Sequence, residues 1–211
     1  MKKLLTLAAL TVLALGVTAA AVAKKPASSC GGSTPTITGT QGDDVINGTA
    51  GADVIAAGAG KDQVWGHGGN DVVCGGPGDD TLQGGDGDDV LHGQQGKDLM
   101  DGGVLGCCGA GNGGNDVLFG GQGADTLHAS DFGNNRLEGE QGNDWAQGYG
   151  GNDTVSGGNG DDTLGGFVGN DTISGGNGDD RLDGGPGADT LNGGRGTDAC
   201  ANGESNTGCE P

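Results

Sequence analysis

The sequence predicts an all-β solenoid, a chain wound into stacked coils of short strands and tight turns. Three observations carry that prediction. A nine-residue period runs from residue 39 to residue 201. Glycine supplies 53 of the 211 residues and falls at fixed places within the period. One large aliphatic side chain recurs at the same place in fifteen of the eighteen periods. Glycine at this level without a period would mark a low-complexity chain, so the period decides the class.

The chain opens on an export signal. Lys2 and Lys3 form a positive n-region, Leu4 to Val17 are largely apolar, and Ala21-Val22-Ala23 supplies a small-x-small cleavage site before Lys24. The apolar run approaches the ~20 residues of a membrane span. It ends in alanine-rich sequence and a cleavage site, so residues 1–23 are expected to be removed, with no stable membrane insertion afterwards. Ala27-Ser28-Ser29-Cys30 lacks the leucine of a lipoprotein signal, and no lipid anchor is expected. Residues 24–38 form an N-terminal cap segment, residues 39–201 the repeats, and residues 202–211 a C-terminal cap or tail.

The unit is GGxGxDxUx, with U a large aliphatic residue. Copies start at residues 39, 48, 57, 66, 75, 84, 93, 102, 111, 120, 130, 139, 148, 157, 166, 175, 184 and 193, eighteen in all, with Ala129 the one extra residue. Position 4 is glycine in seventeen copies (Leu105 is the exception), and position 6 is aspartate in sixteen, with Cys107 and Asn135 the exceptions. Position 8 holds Ile46, Ile55, Val64, Val73, Leu82, Leu91, Met100, Leu118, Leu127, Leu137, Val155, Leu164, Ile173, Leu182 and Leu191. Positions 1 to 6 have turn composition, because glycine reaches positive φ without steric cost and Asn and Asp close turns through their side chains. Positions 7 to 9 read outward, inward, outward, as in Thr163-Leu164-Gly165, a minimal strand with one buried side chain. Such a unit cannot fold alone, whereas stacked copies bury their aliphatic residues in columns.

That burial falls short of the conformational entropy of ordering so many residues. The turns also gather sixteen carboxylates into close rows, in a chain of formal net charge −20. A cation is the missing partner. Carboxylates and turn carbonyls are hard oxygen donors, which suit calcium over zinc or copper. A phosphate backbone needs a basic footprint, so nucleic acid is excluded as a partner.

Segments such as Gly75-Gly76-Pro77-Gly78-Asp79-Asp80-Thr81-Leu82 and Gly157-Gly158-Asn159-Gly160-Asp161-Asp162-Thr163-Leu164 resemble the hemolysin-type, or RTX, calcium-binding nonapeptide repeat family. The resemblance covers residues 39–201. It implies a right-handed parallel β-roll, a calcium-stacked β-solenoid with two nonapeptides per coil. It places Ca²⁺ between the turns of repeats i and i+2, held by turn carbonyls and the position-6 aspartates. Those are Asp44, Asp53, Asp62, Asp71, Asp80, Asp89, Asp98, Asp116, Asp125, Asp144, Asp153, Asp162, Asp171, Asp180, Asp189 and Asp198. Many family members carry a catalytic or toxin domain and leave through a C-terminal signal. This chain is expected to have neither, and no enzymatic or toxic activity is expected of it.

Two repeats per coil put nine on each edge and make sixteen turn pairs. Cys107 should impair the pairs of repeat 8 with the repeats of Asp89 and Asp125, and Asn135 those of repeat 11 with the repeats of Asp116 and Asp153. About twelve full sites remain, whose charge of about +24 nearly offsets the −22 of the mature chain (7 basic against 29 acidic residues once Lys2 and Lys3 are gone). Residues 102–138 are then a calcium-poor waist, expected to open first. Affinity is expected near ~10⁻⁴–10⁻³ M, the range of extracellular calcium modules.

Six cysteines suit an oxidising compartment and allow fifteen pairings. By position, Cys200–Cys209 would fold the tail over one end of the core, and Cys30–Cys74 would pin residues 24–38 over the other. Cys107 and Cys108 in the degenerate repeat are expected to form a vicinal disulfide or an irregular loop, since two cysteines without a nearby histidine are half a zinc set. His67, His92 and His128 read as surface residues, His92 and His128 on one face two coils apart, and no HExxH or GxSxG is present. Position 2 of the odd repeats runs Gln94, Asn112, Asp131, Tyr149, Phe167, with Phe132 nearby. If these line one edge, they offer a contact strip for an extracellular protein or glycan. Thr154, Thr172 and Thr190 stack, but three rungs are too few for an ice-binding ladder. The expected function is a secreted, calcium-folded structural or interaction rod of the cell exterior. The alternative is a calcium-dependent binding module that uses the aromatic edge.

Overall fold

In a computed structural model of the protein, residues 29–103 and 114–210 are described, and among them there are strands and turns but no helix. The expected export segment, Cys107 and Cys108 lie outside the described residues. In chain order the strands alternate between two sheets. One sheet contains β1 (Ile37–Thr38), β3 (Val54–Ala56), β5 (Val72–Pro77), β7 (Val90–Gln95), β9 (Val117–Gln122), β11 (Arg136–Gln141), β13 (Thr154–Asn159), β15 (Thr172–Asn177), β17 (Thr190–Arg195) and β19 (Ser205–Thr207). The other contains β2 (Val45–Asn47), β4 (Gln63–Gly68), β6 (Thr81–Asp86), β8 (Leu99–Asp101), β10 (Thr126–His128), β12 (Trp145–Gln147), β14 (Thr163–Gly165), β16 (Arg181–Asp183) and β18 (Ala199–Ala201). Each strand pairs in parallel with the strand two places on, as in Ile55↔Val73 and Val155↔Ile173. Two nonapeptides therefore make one coil, and the chain is the parallel β-solenoid that its period predicts.

The alternation along each strand explains the core. Every position-8 aliphatic residue points between the sheets, with Leu82, Leu91, Met100, Leu118, Leu127 and Leu137 fully buried. Ala57, Ala129 and Ala146 complete the buried cluster. Position 7 and position 9 side chains stand outward, including Thr154, Thr172 and Thr190, which pair in register and are extended by Ser205.

The register corrects one expectation. Between β7 and β9, Leu91 pairs with Leu118, and between β8 and β10, Met100 pairs with Leu127, a step of 27 residues. Repeat 8 therefore makes no rung, and its expected turn pairs do not form: Asp89 faces Asp116 instead, and Asp98 faces Asp125. Gly102 and Gly114 both bond to the turn of the coil before: Gly85 N–H donates to Gly102 O and Gly114 N–H donates to Gly87 O. The reason lies in the repeat itself. Leu105 replaces the position-4 glycine and Cys107 the turn-closing aspartate, so the sequence of this copy lacks both residues on which the other turns rely. Two further expectations fall with it. His92 on β7 and His128 on β10 lie on opposite sheets, and Gln94 pairs with Gly76 and Gly121 rather than joining Tyr149 and Phe167.

Both ends of the roll are covered. Cys200 and Cys209 are bonded, β19 adds a last strand beside β17, and Gly203 lies against Leu191, which is fully buried. Cys30 and Cys74 are bonded as well, and Ile37 of β1 closes the first coil. Cys74 is on the outward side of β5, and Gly31 lies near Val72 and His92. The N-terminal segment thus packs on the outer face of the ten-stranded sheet as well as over its end. Among the described residues no helix is long and apolar enough to cross a membrane.

Candidate metal centre

The position-6 aspartates stand at the last residue of each turn, just before a strand, and fall into two rows. The first row enters the nine-stranded sheet and runs Asp44, Asp62, Asp80, Asp98, Asp125, Asp144, Asp162, Asp180, Asp198. The second enters the ten-stranded sheet and runs Asp53, Asp71, Asp89, Asp116, Asn135, Asp153, Asp171, Asp189. Along both, each backbone N–H donates to the Oδ1 of the next residue in the row, for example Asp62 to Asp80 at 2.9 Å and Asp144 to Asp162 at 2.8 Å.

Oδ1 is therefore committed to the scaffold, and Oδ2 is the chemically available atom. In Asp62, Asp71, Asp80, Asp89, Asp98, Asp116, Asp125, Asp144, Asp153, Asp162, Asp171, Asp180, Asp189 and Asp198 it is buried and without a hydrogen-bond partner. A buried carboxylate oxygen with no donor is costly unless it meets a cation. Lysine and arginine do not supply one: among the described residues the ion pairs are Lys61–Asp79 and Arg136–Glu138, neither of which involves a row aspartate. Burial raises Asp80 and Asp125 to about 6 and Asp89, Asp98, Asp153 and Asp162 to about 7, against the pull of the backbone donors. Burial also raises Asp62, Asp71, Asp116, Asp144, Asp171 and Asp180. Burial thus favours the neutral form of these carboxyls over the bare carboxylate, unless another positive charge stands beside it.

Glycine makes room for that charge. A Cβ on Gly139 would stand 2.3 Å from Asp144 Oδ2, so position 1 keeps the side of the carboxylate open. At position 4, Gly142 has φ +137 and a Cβ there would stand 1.3 Å from Gly123 O, so the turn backbones of successive coils touch. Among the described residues no three His, Cys, Asp or Glu side chains converge on one point. A cation held here takes its remaining oxygens from turn carbonyls, as a hard, multiply coordinated ion such as calcium allows.

The rows differ at their ends and in their middle. Asp44 Oδ2 accepts from Thr40 N–H at 2.6 Å and Asp53 Oδ2 from Thr49 N–H at 2.7 Å, so the first coil is closed by threonine. The second row is finished by Glu204, whose Oε2 accepts from Asp189 N–H. At Asn135 the oxygen Oδ1 accepts from Asp116 N–H at 2.9 Å, while Nδ2 lies 3.1 Å from Asp153 Oδ1. Beside it the Ser130 hydroxyl donates to Phe132 O at 2.6 Å and lies 3.2 Å from Gly114 O and 3.4 Å from Asn135 Oδ1. Ala129 takes the position-1 bond, donating to Gln147 O, so Ser130 is the residue that the insertion adds to the turn.

Two features escaped the sequence reading. Glu204 lies outside the repeats and has no periodic signature. The other is a second ladder at position 5, where each N–H donates to the side-chain oxygen of the previous coil: Asn134 N–H to Asn115 Oδ1, Asn152 N–H to Asn134 Oδ1 and Asn170 N–H to Asn152 Oδ1. Its signal was present, since position 5 is Asn or Asp in most copies.

A profile of the RTX calcium-binding nonapeptide repeat matches residues 38–73, 75–104, 110–132, 130–164 and 165–199, well over half of the chain. No curated protein matches it.

Proposed function

The chain belongs to the RTX calcium-binding nonapeptide repeat family, and from that premise we propose that it is a secreted rod of the cell exterior whose coils are set by calcium. The observation that carries this is the double row of buried Oδ2 atoms without partners. The ligands are the row aspartates with turn carbonyls of the neighbouring coil. Adjacent aspartates make eight pairs along the first row and five along the second, thirteen in all, beside two pairs at Asn135 and one closed by Glu204. This count stands close to the dozen expected from the repeats, but the shortfall is concentrated at Asn135, because repeat 8 contributes no rung. A repeat array over residues 39–201, with disulfides at both ends, supports a structural or interaction role outside the cell, where disulfides persist. Calcium-titrated circular dichroism of residues 24–211 tests the reading. A cooperative gain of β signal supports it, and full β signal in chelator sinks it.

A further inference from the structure

We propose that the outer face of the nine-stranded sheet carries a binding groove for an acidic sugar, a uronic-acid pyranose within a polysaccharide. The groove has a volume of about 380 Å³ and lies across β12, β14 and β16. Trp145, Thr163 and Arg181 stand in one row of the sheet and Gln147, Gly165 and Asp183 in the next. Trp145 and Arg181 are thus two strand spacings apart, roughly 9–10 Å, the span of a pyranose ring with its substituents. Gly165 makes room for the Phe167 ring, which packs over it and forms one wall: a Cβ on Gly165 would be 3.2 Å from Phe167 Cε2.

The aromatic wall is built and exposed. Trp145 is 42% exposed and Phe167 41%. His128 meets Trp145 edge-on at 5.2 Å and Tyr149 at 5.9 Å, and Tyr149 stacks on Phe167 at 5.2 Å. Tyr149 and Phe167 both sit at φ +68, at a position where the repeat has glycine. An L side chain rarely adopts that conformation, and here it holds two large rings on the rim in successive coils. Aromatic faces receive the C–H face of a pyranose, and planar amides and carboxylates hold its hydroxyls. Gln147 supplies an amide, and Asp183 is oriented by Asn202, whose Nδ2 donates to Asp183 Oδ1 at 2.7 Å.

Arg181 sets the charge of the occupant. Its side chain has no ion-pair or hydrogen-bond partner among the described residues, in a chain with 9 basic against 29 acidic residues. A free guanidinium beside ring-sized apolar walls matches one carboxylate through two parallel hydrogen bonds. Asp183 repels a second, so each groove takes one acid group and accepts neutral hydroxyls beside it. The proposal rests on the calcium reading, because an unfilled chain this acidic would repel an anionic polymer.

The test is isothermal titration calorimetry of the calcium-loaded chain with a linear trimer of galacturonic acid, too short to gel with calcium, against a neutral trimer of galactose. Circular dichroism of the same samples records the roll. The acidic trimer should bind and the neutral one should bind about tenfold or more weakly. Arg181→Gln should remove that preference, Trp145→Ala should weaken both trimers, and Arg195→Gln on the opposite sheet should change nothing. A folded roll that ignores the acidic trimer, or binds both trimers equally, overturns the groove's assignment. A chain that stays unfolded in saturating calcium overturns the calcium reading and this proposal with it.

Discussion

The two rows of aspartates are built from one repeat and have met different fates. The row entering the nine-stranded sheet holds nine aspartates without a break. The row entering the ten-stranded sheet takes both irregularities of the repeat array, in neighbouring coils: the extra residues between Gly102 and Gly114, and the Ala129-Ser130 step beside Asn135. Where the first row repeats a carboxylate, the second has at that point a neutral amide and a hydroxyl that bond to carbonyls and to each other. The difference shows two ways of closing the same turn. A carboxylate row needs a cation to offset burial and repulsion, whereas an Asn–Ser pair satisfies its own acceptors at no charge.

The largest effect should come from removing calcium. The carboxylate rungs lose their counter-charge together, so chelation should abolish most of the β circular dichroism, with recovery near ~10⁻⁴–10⁻³ M calcium. The Asn135 turn should respond least. Limited proteolysis at calcium levels above the folding midpoint, where the roll stays wound, should show cleavage at first-row turns falling steeply with calcium, while cleavage within residues 130–138 changes little. Equal calcium dependence at both places would erase the distinction between the rows, and it would restore the plain expectation that residues 102–138 are simply the weakest point.

Single substitutions should separate the rows next. Asp144→Ala removes the shared member of two first-row pairs and leaves its neighbours' carboxylates facing a gap, so the bound-calcium count should fall by about two and the folding midpoint should move to higher calcium. Asn135→Asp should do the reverse, raising the count by one or two as measured by equilibrium dialysis. A count unchanged by Asn135→Asp would mean that the insertion, not the side chain, bars the ion. Ser130→Ala should be milder, about 1 kcal/mol in thermal stability, from loss of one buried hydroxyl bond, and equal at low and high calcium. A loss seen only at high calcium would recast Ser130 as a ligand.

The smallest effect concerns acid in chelator. Burial raises Asp89, Asp98, Asp153 and Asp162 in the folded state, so the folded chain binds protons more tightly than the unfolded one. Metal-free structure should therefore be favoured below the ordinary aspartate range, near pH 4, and be lost as pH rises toward about 7. Circular dichroism in chelator from pH 3 to 8 would show it, and a signal that grows with pH would contradict the sign.

Much of this was legible in the sequence because period, turn glycines and buried aliphatic residues agree with one another. The solenoid and the buried column from Ile46 to Leu191 follow from position in the repeat, two repeats per coil from the family resemblance, and both end disulfides from cysteines that stand at and beyond the ends of the array. A residue count fails where it stands in for a fold. Repeat 8 keeps the nine-residue spacing, so counting assigns it a rung, although Leu105 and Cys107 remove the two residues that make a turn. That one assignment misplaced His128 relative to His92 and Gln94 relative to Phe167. The Asn135 turn was legible only as a missing ligand, because the bonds of Ser130 depend on which residue the insertion displaces. Glu204 joins its row through a tail with no pattern to count.

The passage from Gly102 to Gly114 also sets a grammar for how such a chain can lengthen. A coil reads in words of eighteen residues, one nonapeptide for each sheet. An added eighteen inserts a whole coil and leaves every later residue on its own face. An added nine, if threaded into the ladder, exchanges the faces of everything downstream, as a reading-frame shift exchanges codons. Here the ladder steps by twenty-seven and the frame is kept. Asp101, His128, Gln147 and Asp183 therefore still follow one another down a single sheet across the join. Surface chemistry that spans several coils can survive growth of the array in this way, provided that half-length additions are left outside the wind.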